Sequence, residues 1–264
     1  MELSLVIPTR GRVPSLLSLL DRLDALADGP FETVLVVDAD DAETLAVDRG
    51  PKVVVPPGLT MGALNQAGCD AARGEFVMLL NDDVVPRTRH WDAKLLRAAR
   101  RFPDGVVMVH ADDMLMKRHL CVFPLLPRGL VRIPSAYKRY RIDDHLQHVF
   151  DILGALGEKR RVWLPEVVFE HLNGVAMPGG AREYHAEPLA LAEDARTFDA
   201  LEGERRETAL ELMARILRRR IDALPDAFAL RQEPVPGLMQ RLARCWRERG
   251  LLGLVEAAAK RLMR

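Results

Sequence analysis

Short apolar runs alternate with amphipathic stretches along the first half of the chain. The pattern of strands buried on both faces occurs at residues 3–7, 33–37, 52–55, 76–80 and 105–110. Apolar residues at helical spacing predict helices over residues 13–26, 60–73 and 90–102. Because strands and helices that alternate in this way are typical of βαβ units, we predict an α/β fold built on a mostly parallel sheet.

The second half of the chain has a different pattern. We expect residues 121–133, which are apolar and interrupted by prolines, to form a strand and loop in a second sheet. A helix is predicted over residues 142–156 and a strand over residues 161–169. From about residue 187 onward the sequence is helical and rich in arginine, so we predict a helical C-terminal extension over residues 181–264.

Polar residues follow the apolar runs at the points where the predicted strands end. Asn81, Asp82 and Asp83 come directly after the run at 76–80, and this stretch is the centre of the predicted sheet. Right-handed crossovers bring the loops after parallel strands to one edge, which is where α/β sheets bind ligands. We therefore expect a cluster there made of Arg10, Arg12, Asp38, Asp82 and Asp83.

The negative charge of adjacent carboxylates at such an edge must be balanced, because burying a carboxylate is costly unless it is paired. A divalent cation would balance this charge, and oxygen ligands suit Mg²⁺ or Mn²⁺. The alternative is a polar turn that caps the next helix.

Composition narrows the class of protein. The 264 residues are 48% hydrophobic and 29% charged, and the formal net charge is zero, so no global charge points to nucleic acid. The three cysteines are far apart and form no metal or redox pair. With no leader pattern and no apolar run long enough to cross a membrane, we expect a cytoplasmic protein.

Charge is concentrated near the C-terminus. An amphipathic pattern over residues 251–263 lies in a basic segment. It favours either peripheral contact with the inner face of a membrane, or packing on the chain's own domain or on a second subunit of a homo-oligomer.

Four stretches of the first third, taken together, resemble the GT-A glycosyltransferases, in particular the inverting family 2 enzymes that use nucleotide-diphosphate sugars. They are LVIPTRGR at 5–12, VVDADD at 36–41, GALNQAG with ARGEF at 62–68 and 72–76, and LNDD at 80–83. The last stretch stands where that family has its DXD metal motif, with Asn81 in place of the first Asp. The resemblance implies a GT-A catalytic domain over residues 1–180, divided into a nucleotide-binding half (1–110) and an acceptor half (111–180).

The resemblance also implies roles for individual residues. Asp83 and His171 would hold Mn²⁺ or Mg²⁺, Asp82 would contact the sugar or ribose, and Asp38 would accept a hydrogen bond from the base. The residues lining the nucleotide pocket would be Pro8, Thr9, Arg10 and Arg12. Asn65, on the helix that faces the central strand, would either contact the site or satisfy backbone groups.

An inverting transfer needs a general base that takes the proton of the acceptor hydroxyl. The family places this base as an acid at the start of a helix, where Asp143 and Asp144 stand, and we favour Asp144. Capping of the helix is the alternative role for both acids. Asp112 and Asp113 are the competing candidates for the base.

The function that the resemblance implies is transfer of a sugar from a UDP-, GDP- or dTDP-sugar to a saccharide or lipid-linked acceptor, with inversion. A non-catalytic nucleotide-sugar binder is the main alternative. A nucleotidyltransferase is less favoured, since its glycine-rich opening with a following Arg is missing.

Overall fold

A computed structural model describes residues 1–172 and 188–222 of the chain. The strands are β1 (Leu3–Thr9), β2 (Glu32–Asp38), β3 (Lys52–Val55), β4 (Phe76–Leu79), β5 (Val84–Pro86), β6 (Met108–Asp112), β7 (Leu125–Pro127) and β8 (Arg161–His171). The α-helices are α1 (Val13–Leu26), α2 (Ala42–Leu45), α3 (Met61–Ala71), α4 (Trp91–Ala99), α5 (Ile142–Ala155), α6 (Pro188–Ala200) and α7 (Glu202–Asp222). The predicted alternation of strands and helices is confirmed.

The strands form a sheet in the order β3-β2-β1-β4-β7-β6-β8-β5. The four strands β3, β2, β1 and β4 are parallel to one another, and β6 is parallel to β8. The prediction of a second sheet from residues 121–133 is wrong, because β7 from that stretch lies between β4 and β6 in the central sheet and is antiparallel to both. β7 thus joins the parallel strands β3, β2, β1 and β4 to the parallel pair of β6 and β8.

Apolar side chains cover both faces of the sheet, which explains the continuous apolar runs in the sequence. Leu5 and Ile7 of β1 point to the face covered by α1 and α4. Val6 of β1 and Val36 of β2 point to the other face, where α3, α5 and α7 pack. The polar residues that follow each strand are left at the edge of the sheet, outside both cores.

Helix α3 lies unusually close to the sheet. A Cβ added at Gly68 would lie 2.3 Å from Cγ1 of Val6 and 2.8 Å from Cγ2 of Val36. At its N-terminus, Gly62 donates its N–H to the carbonyl of Tyr137 at 2.9 Å. The small residues of α3 therefore set the distance between the sheet, the helix and the segment that precedes α5.

The helical C-terminal region packs onto the sheet domain. Leu212, Met213 and Ile216 of α7 are buried in the same core cluster as α5. On α6 the side chain of Asp194 is fully buried and accepts the backbone N–H groups of three consecutive residues, at 2.7, 2.9 and 2.7 Å: Lys138, Arg139 and Tyr140. Helix α6 thus fixes the segment that leads into α5.

The predicted amphipathic segment at 251–263 lies outside the described residues. Within 1–172 and 188–222, no helix is long and apolar enough to cross a membrane.

Two glycine-to-alanine substitutions should have opposite effects on stability. Gly68→Ala forces a methyl group into Val6 and Val36 and should lower the free energy of unfolding by about 1–3 kcal/mol. Gly154→Ala, in α5, meets nothing within 4 Å and should raise it by about 0.5–1 kcal/mol through helix propensity. Urea unfolding of both variants checks the difference, and equal effects would show that α3 does not pack this closely.

Candidate functional site

The ends of β1, β2 and β4 lie at one edge of the sheet and carry residues that are predicted to bind the nucleotide-sugar. Thr9 is the last residue of β1 and Asp38 the last of β2, and the two strands are parallel neighbours. β1 is also the parallel neighbour of β4, so the loop after β4 emerges beside Thr9. The hydroxyl of Thr9 donates a hydrogen bond to Oδ2 of Asp82 at 2.8 Å, which ties the two loops together.

Asp82 is a fully buried carboxylate that accepts a hydrogen bond at Oδ2 and forms an ion pair at Oδ1, where it accepts no hydrogen bond from the described residues. Thr9 contacts one oxygen, and Nη2 of Arg12 lies 2.6 Å from the other. Burial raises the pKa of Asp82 to about 6, although Arg12 and Thr9 act against this rise. At neutral pH Asp82 is therefore an ionised acid held by Arg12.

Asp83 and His171 meet through the pairing of β5 with β8. In that antiparallel pair Val84 lies opposite His171, and the N–H of Leu172 donates to the carbonyl of Asp83 at 2.9 Å. Nε2 of His171 lies 3.4 Å from Oδ1 of Asp83. The strand pairing thus brings together the two residues, far apart in sequence, that the family resemblance predicts to share a metal.

Oδ1 of Asp83 is buried and accepts no hydrogen bond from the described residues. Burial acts to raise the pKa of Asp83, but the interaction with His171 and the charge of Arg12 outweigh it, and the pKa lies below the ordinary value. An ionised, buried oxygen beside an imidazole nitrogen is a suitable pair of ligands for a divalent cation.

The ligand set fits a metal that is shared with a substrate. In the described part of the chain, no group of three His, Cys, Asp or Glu side chains could hold a metal by itself. Mg²⁺ at nucleotide sites is characteristically held by one or two carboxylates and by phosphate oxygens, with water completing the coordination. Asp83 and His171 are thus consistent with a metal that also binds a diphosphate.

Asp38 offers a second buried oxygen without a partner. Its Oδ2 accepts from Nη1 of Arg10 at 2.7 Å, whereas its Oδ1 has no hydrogen-bond partner among the described residues. Arg10 also pairs with Asp40, at 2.9 Å between Nη2 and Oδ2, and about half of its side chain is exposed. Arg10 therefore holds Asp38 in place and leaves one carboxylate oxygen available to a ligand.

Two other predicted residues of the nucleotide pocket, Pro8 and Asn65, are buried. Pro8 lies inside β1, opposite Val36 of β2. The side-chain amide of Asn65 donates to the carbonyl of Met61, one turn earlier in α3, at 2.9 Å. Of the two roles considered for Asn65, the structure shows the bond to the backbone.

Asp41 has a positioning role that the sequence interpretation did not assign. One of its oxygens accepts the N–H of Gly11 at 2.8 Å and the other accepts the N–H of Thr44 at 3.2 Å, as the N-cap of α2. It thereby fixes the loop that carries Arg10 and Arg12. An Asp placed three residues before Thr44 at the start of a short helix is a recognisable capping signal.

The two candidate bases at the start of α5 have different surroundings. Nη1 of Arg141 donates to Oδ1 of Asp144 at 3.1 Å. Burial, and then the charges of Asp144 and Asp113, raise the pKa of Asp143 well above its ordinary value. Asp144 is thus ion-paired with Arg141, whereas the pKa of Asp143 is higher than that of an ordinary aspartate.

The competing acids Asp112 and Asp113 hold the loop after β6. Asp112 accepts the N–H of Met114 at 2.7 Å. Asp113 is buried, and its carboxylate accepts the N–H groups of three residues of that loop: Leu115, Met116 and Lys117. The carbonyl of Asp113 also accepts the N–H of His171 at 3.1 Å, which links the loop after β6 to the end of β8.

Comparison with known proteins supports the architecture described above. The structure of S. aureus TarS 1-349 in complex with UDP-GlcNAc has 16% sequence identity and a TM-score of 0.52, over 98% of this chain and 81% of that chain. The structure of a mycobacterial protein has 19% identity and a TM-score of 0.50, over 83% and 74% of the two chains.

A third structure is glucosyl-3-phosphoglycerate synthase from Mycobacterium tuberculosis in complex with Mn²⁺, UDP and glucosyl-3-phosphoglycerate. It has 17% identity and a TM-score of 0.48, over 81% of this chain and 80% of that chain. Among curated proteins, no sequence matches the chain.

The arrangement of the sheet and its flanking helices is that of the GT-A fold, as predicted. Residues 4–150 of the 264 match the family profile of glycosyl transferase family 2. The matched region includes the ends of β1, β2 and β4, the loops that follow them, and the start of α5. The chain therefore belongs to glycosyl transferase family 2.

Proposed function

We propose that this glycosyltransferase moves a sugar from a nucleoside-diphosphate donor to an acceptor hydroxyl with inversion, assisted by Mn²⁺ or Mg²⁺. One observation carries the proposal: at the same edge of the sheet, Asp38 and Asp83 each present a buried carboxylate oxygen that accepts no hydrogen bond from the described residues, as does Asp82, whose oxygen faces Arg12. The strands that precede them are two positions apart in the order β2-β1-β4, a separation of roughly 10 Å. This separation suits a nucleobase at Asp38 and a metal-bound diphosphate at Asp83. The edge that carries Asp38, Asp82 and Asp83 is the proposed donor edge.

The donor is proposed to be a UDP-sugar. Uracil carries an imide N–H that an ionised carboxylate such as Asp38 accepts through its free oxygen. The structurally similar TarS of S. aureus binds UDP-GlcNAc, which supports the same nucleotide here. Thymine and guanine also offer a ring N–H, so dTDP and GDP are the comparators in the experiments below.

Charge favours a metal in this site. The ends of β1, β2 and β4 and the loops that follow them carry five aspartates and two arginines: Asp38, Asp40, Asp41, Asp82 and Asp83, with Arg10 and Arg12. An anionic diphosphate is repelled by such a surface unless a cation binds with it. Asp83 and His171 would hold that cation, which when bound neutralises charge on the departing diphosphate.

Asp143 is proposed as the general base, in preference to Asp144. Its raised pKa makes the ionised form a stronger base than an ordinary aspartate, whereas Asp144 is paired with Arg141. The acceptor hydroxyl would lose its proton to Asp143 while it attacks the anomeric carbon from the side opposite the diphosphate, which gives inversion.

The acceptor half, residues 111–180, is proposed to bind a saccharide or a lipid-linked acceptor. The segment before α5 is anchored from two sides, by α3 of the nucleotide-binding half and by α6 of the C-terminal extension. Met61 and Gly62 of α3 donate their N–H groups to the carbonyls of Lys138 and Tyr137, and Asp194 holds the same segment from α6. This anchoring fixes α5, and with it Asp143, relative to the donor edge.

Nucleotide binding should depend on both the metal and Asp83. Calorimetric titration of UDP, GDP and dTDP, with Mn²⁺ or with EDTA, should show UDP binding that Mn²⁺ strengthens. Asp83→Ala should remove most of the gain from Mn²⁺, and should weaken UDP binding in Mn²⁺ by at least the roughly tenfold to hundredfold that the loss of a ligand's supporting partner costs.

The matched control for that experiment is Asp24→Ala, which removes an exposed carboxylate paired with Arg49 away from the donor edge. If Asp24→Ala and Asp83→Ala bind UDP equally well in Mn²⁺, Asp83 does not hold the metal. Release of UDP from a UDP-sugar in the presence of Mn²⁺ separates a transferase from a protein that only binds the donor.

The pH dependence of the reaction should identify the base. Because the base must be ionised, activity should be present above the pKa of Asp143 and lost as the pH falls through it, and that pKa lies well above the ordinary aspartate value. Asp143→Asn should lower the rate of UDP release by roughly 10²–10⁴.

Asp144→Asn provides the comparison. It removes a like charge that raises the pKa of Asp143, so it should shift the acidic limb of the rate profile to lower pH while most activity is kept. A large loss in Asp144→Asn together with a small loss in Asp143→Asn would reverse the assignment.

A further inference from the structure

Arg12 already places a positive charge beside both acids of the donor edge. Its Nη2 lies 2.6 Å from Oδ1 of Asp82, and its Nη1 lies 3.8 Å from Oδ2 of Asp83. The other oxygen of Asp83 faces His171. One guanidinium group therefore neutralises the fully buried acid and reaches the acid that is proposed to bind the metal.

The backbone that carries Arg12 is fixed, and its side chain is accessible. Gly11 has a φ of +62°, which suits glycine, and its N–H is held by Asp41 at 2.8 Å. The carbonyl of Arg12 accepts the N–H of Leu16 in the first turn of α1 at 3.0 Å. The side chain of Arg12 is 46% exposed although it contacts a buried acid, so a ligand at this edge can reach it.

We propose that Arg12 is a second cation of the donor site: it weakens metal binding at Asp83 before the nucleotide arrives, and it contacts the diphosphate of the donor afterwards. The inference rests on the proposed function. A divalent ion near Asp83 is repelled by the charge of Arg12, and this repulsion is offset once a diphosphate lies between the two cations. The affinity of the protein for the metal should therefore be much higher when the nucleotide is bound, and its affinity for the nucleotide much higher when the metal is bound.

The chemistry of arginine suits this double role. A guanidinium has five N–H donors in a planar fork, so one edge bonds Asp82 while other donors remain for phosphate oxygens. A lysine offers a point charge without this geometry. Arg12→Lys should accordingly keep the repulsion of the metal but lose part of the contact with the diphosphate.

The first experiment measures Mn²⁺ binding without nucleotide, by the electron paramagnetic resonance signal of free Mn²⁺. Arg12→Gln should bind Mn²⁺ about tenfold more tightly than the wild type, because a repelling charge is removed. Arg12→Gln leaves Asp82 buried without its cation, so the double variant Arg12→Gln/Asp82→Asn is compared with Asp82→Asn alone. Position 82 is Asn in both of these variants, and the one that also lacks Arg12 should bind Mn²⁺ more tightly.

The second experiment measures UDP binding in EDTA by calorimetry. Wild-type protein should bind UDP weakly through Arg12, and Arg12→Gln should weaken this binding about tenfold or more, as expected for a lost charge-assisted hydrogen bond. The control is Arg49→Gln, which removes an arginine paired with Asp21 and Asp24 at the opposite edge of the sheet and should change neither measurement.

The outcomes separate this inference from the proposed function. If the wild type binds UDP with Mn²⁺, but removing Arg12 changes neither Mn²⁺ binding nor UDP binding in EDTA, Arg12 serves only to neutralise Asp82 and the inference is wrong while the proposed function stands. If the wild type binds no nucleotide under any condition, the proposed function fails and the inference fails with it.

Discussion

The cost of burying carboxylates at the end of β4 is the constraint on which this site depends. Asp82 is fully buried and Asp83 mostly so, and an unpaired carboxylate in such a place is strongly destabilising. The fold meets this cost for Asp82 with Thr9 and Arg12 from the loop after β1. It leaves one oxygen of Asp83 without a hydrogen bond, beside His171. Among the described residues, a buried oxygen that accepts no hydrogen bond is therefore found at the position where a metal and a diphosphate are proposed to bind.

The same constraint shapes the segments that follow β6 and precede α5. Asp113 and Asp194 are also buried carboxylates, and each is satisfied by several backbone N–H groups of one segment. Asp113 shapes the loop after β6 and contacts the backbone of His171, and Asp194 fixes the approach to α5. Hydrogen bonds to ionised acceptors are among the stronger ones in proteins, so these two acids stabilise the acceptor side where regular secondary structure is sparse.

Some charged groups of the site are held by ion pairs, and others have an oxygen that accepts no hydrogen bond from the described residues. Arg10 pairs with Asp38 and Asp40, and Arg12 pairs with Asp82, so the arginines fix the acids of the loops in place. The remaining free oxygens of Asp38 and Asp83, and the raised pKa of Asp143, are the features that a donor, a metal and an acceptor would use. Preorganised groups of this kind need little rearrangement when charge develops during a reaction.

The sequence by itself determined the elements of the parallel sheet and the acids at its edge. Continuous apolar runs specify strands buried on both faces, and the chirality of their connections places the following loops together, so the order of residues along the chain is enough to group Arg10, Asp38 and Asp82. The tertiary structure alone decided which partners meet there, because pairing across distant segments leaves no local pattern. The insertion of β7 into the central sheet, the register that sets His171 opposite Val84, and the contact of Arg12 with Asp82 are of this kind. The difference between Asp143 and Asp144 is another, since adjacent residues of one type differ only in the surroundings that the fold gives them.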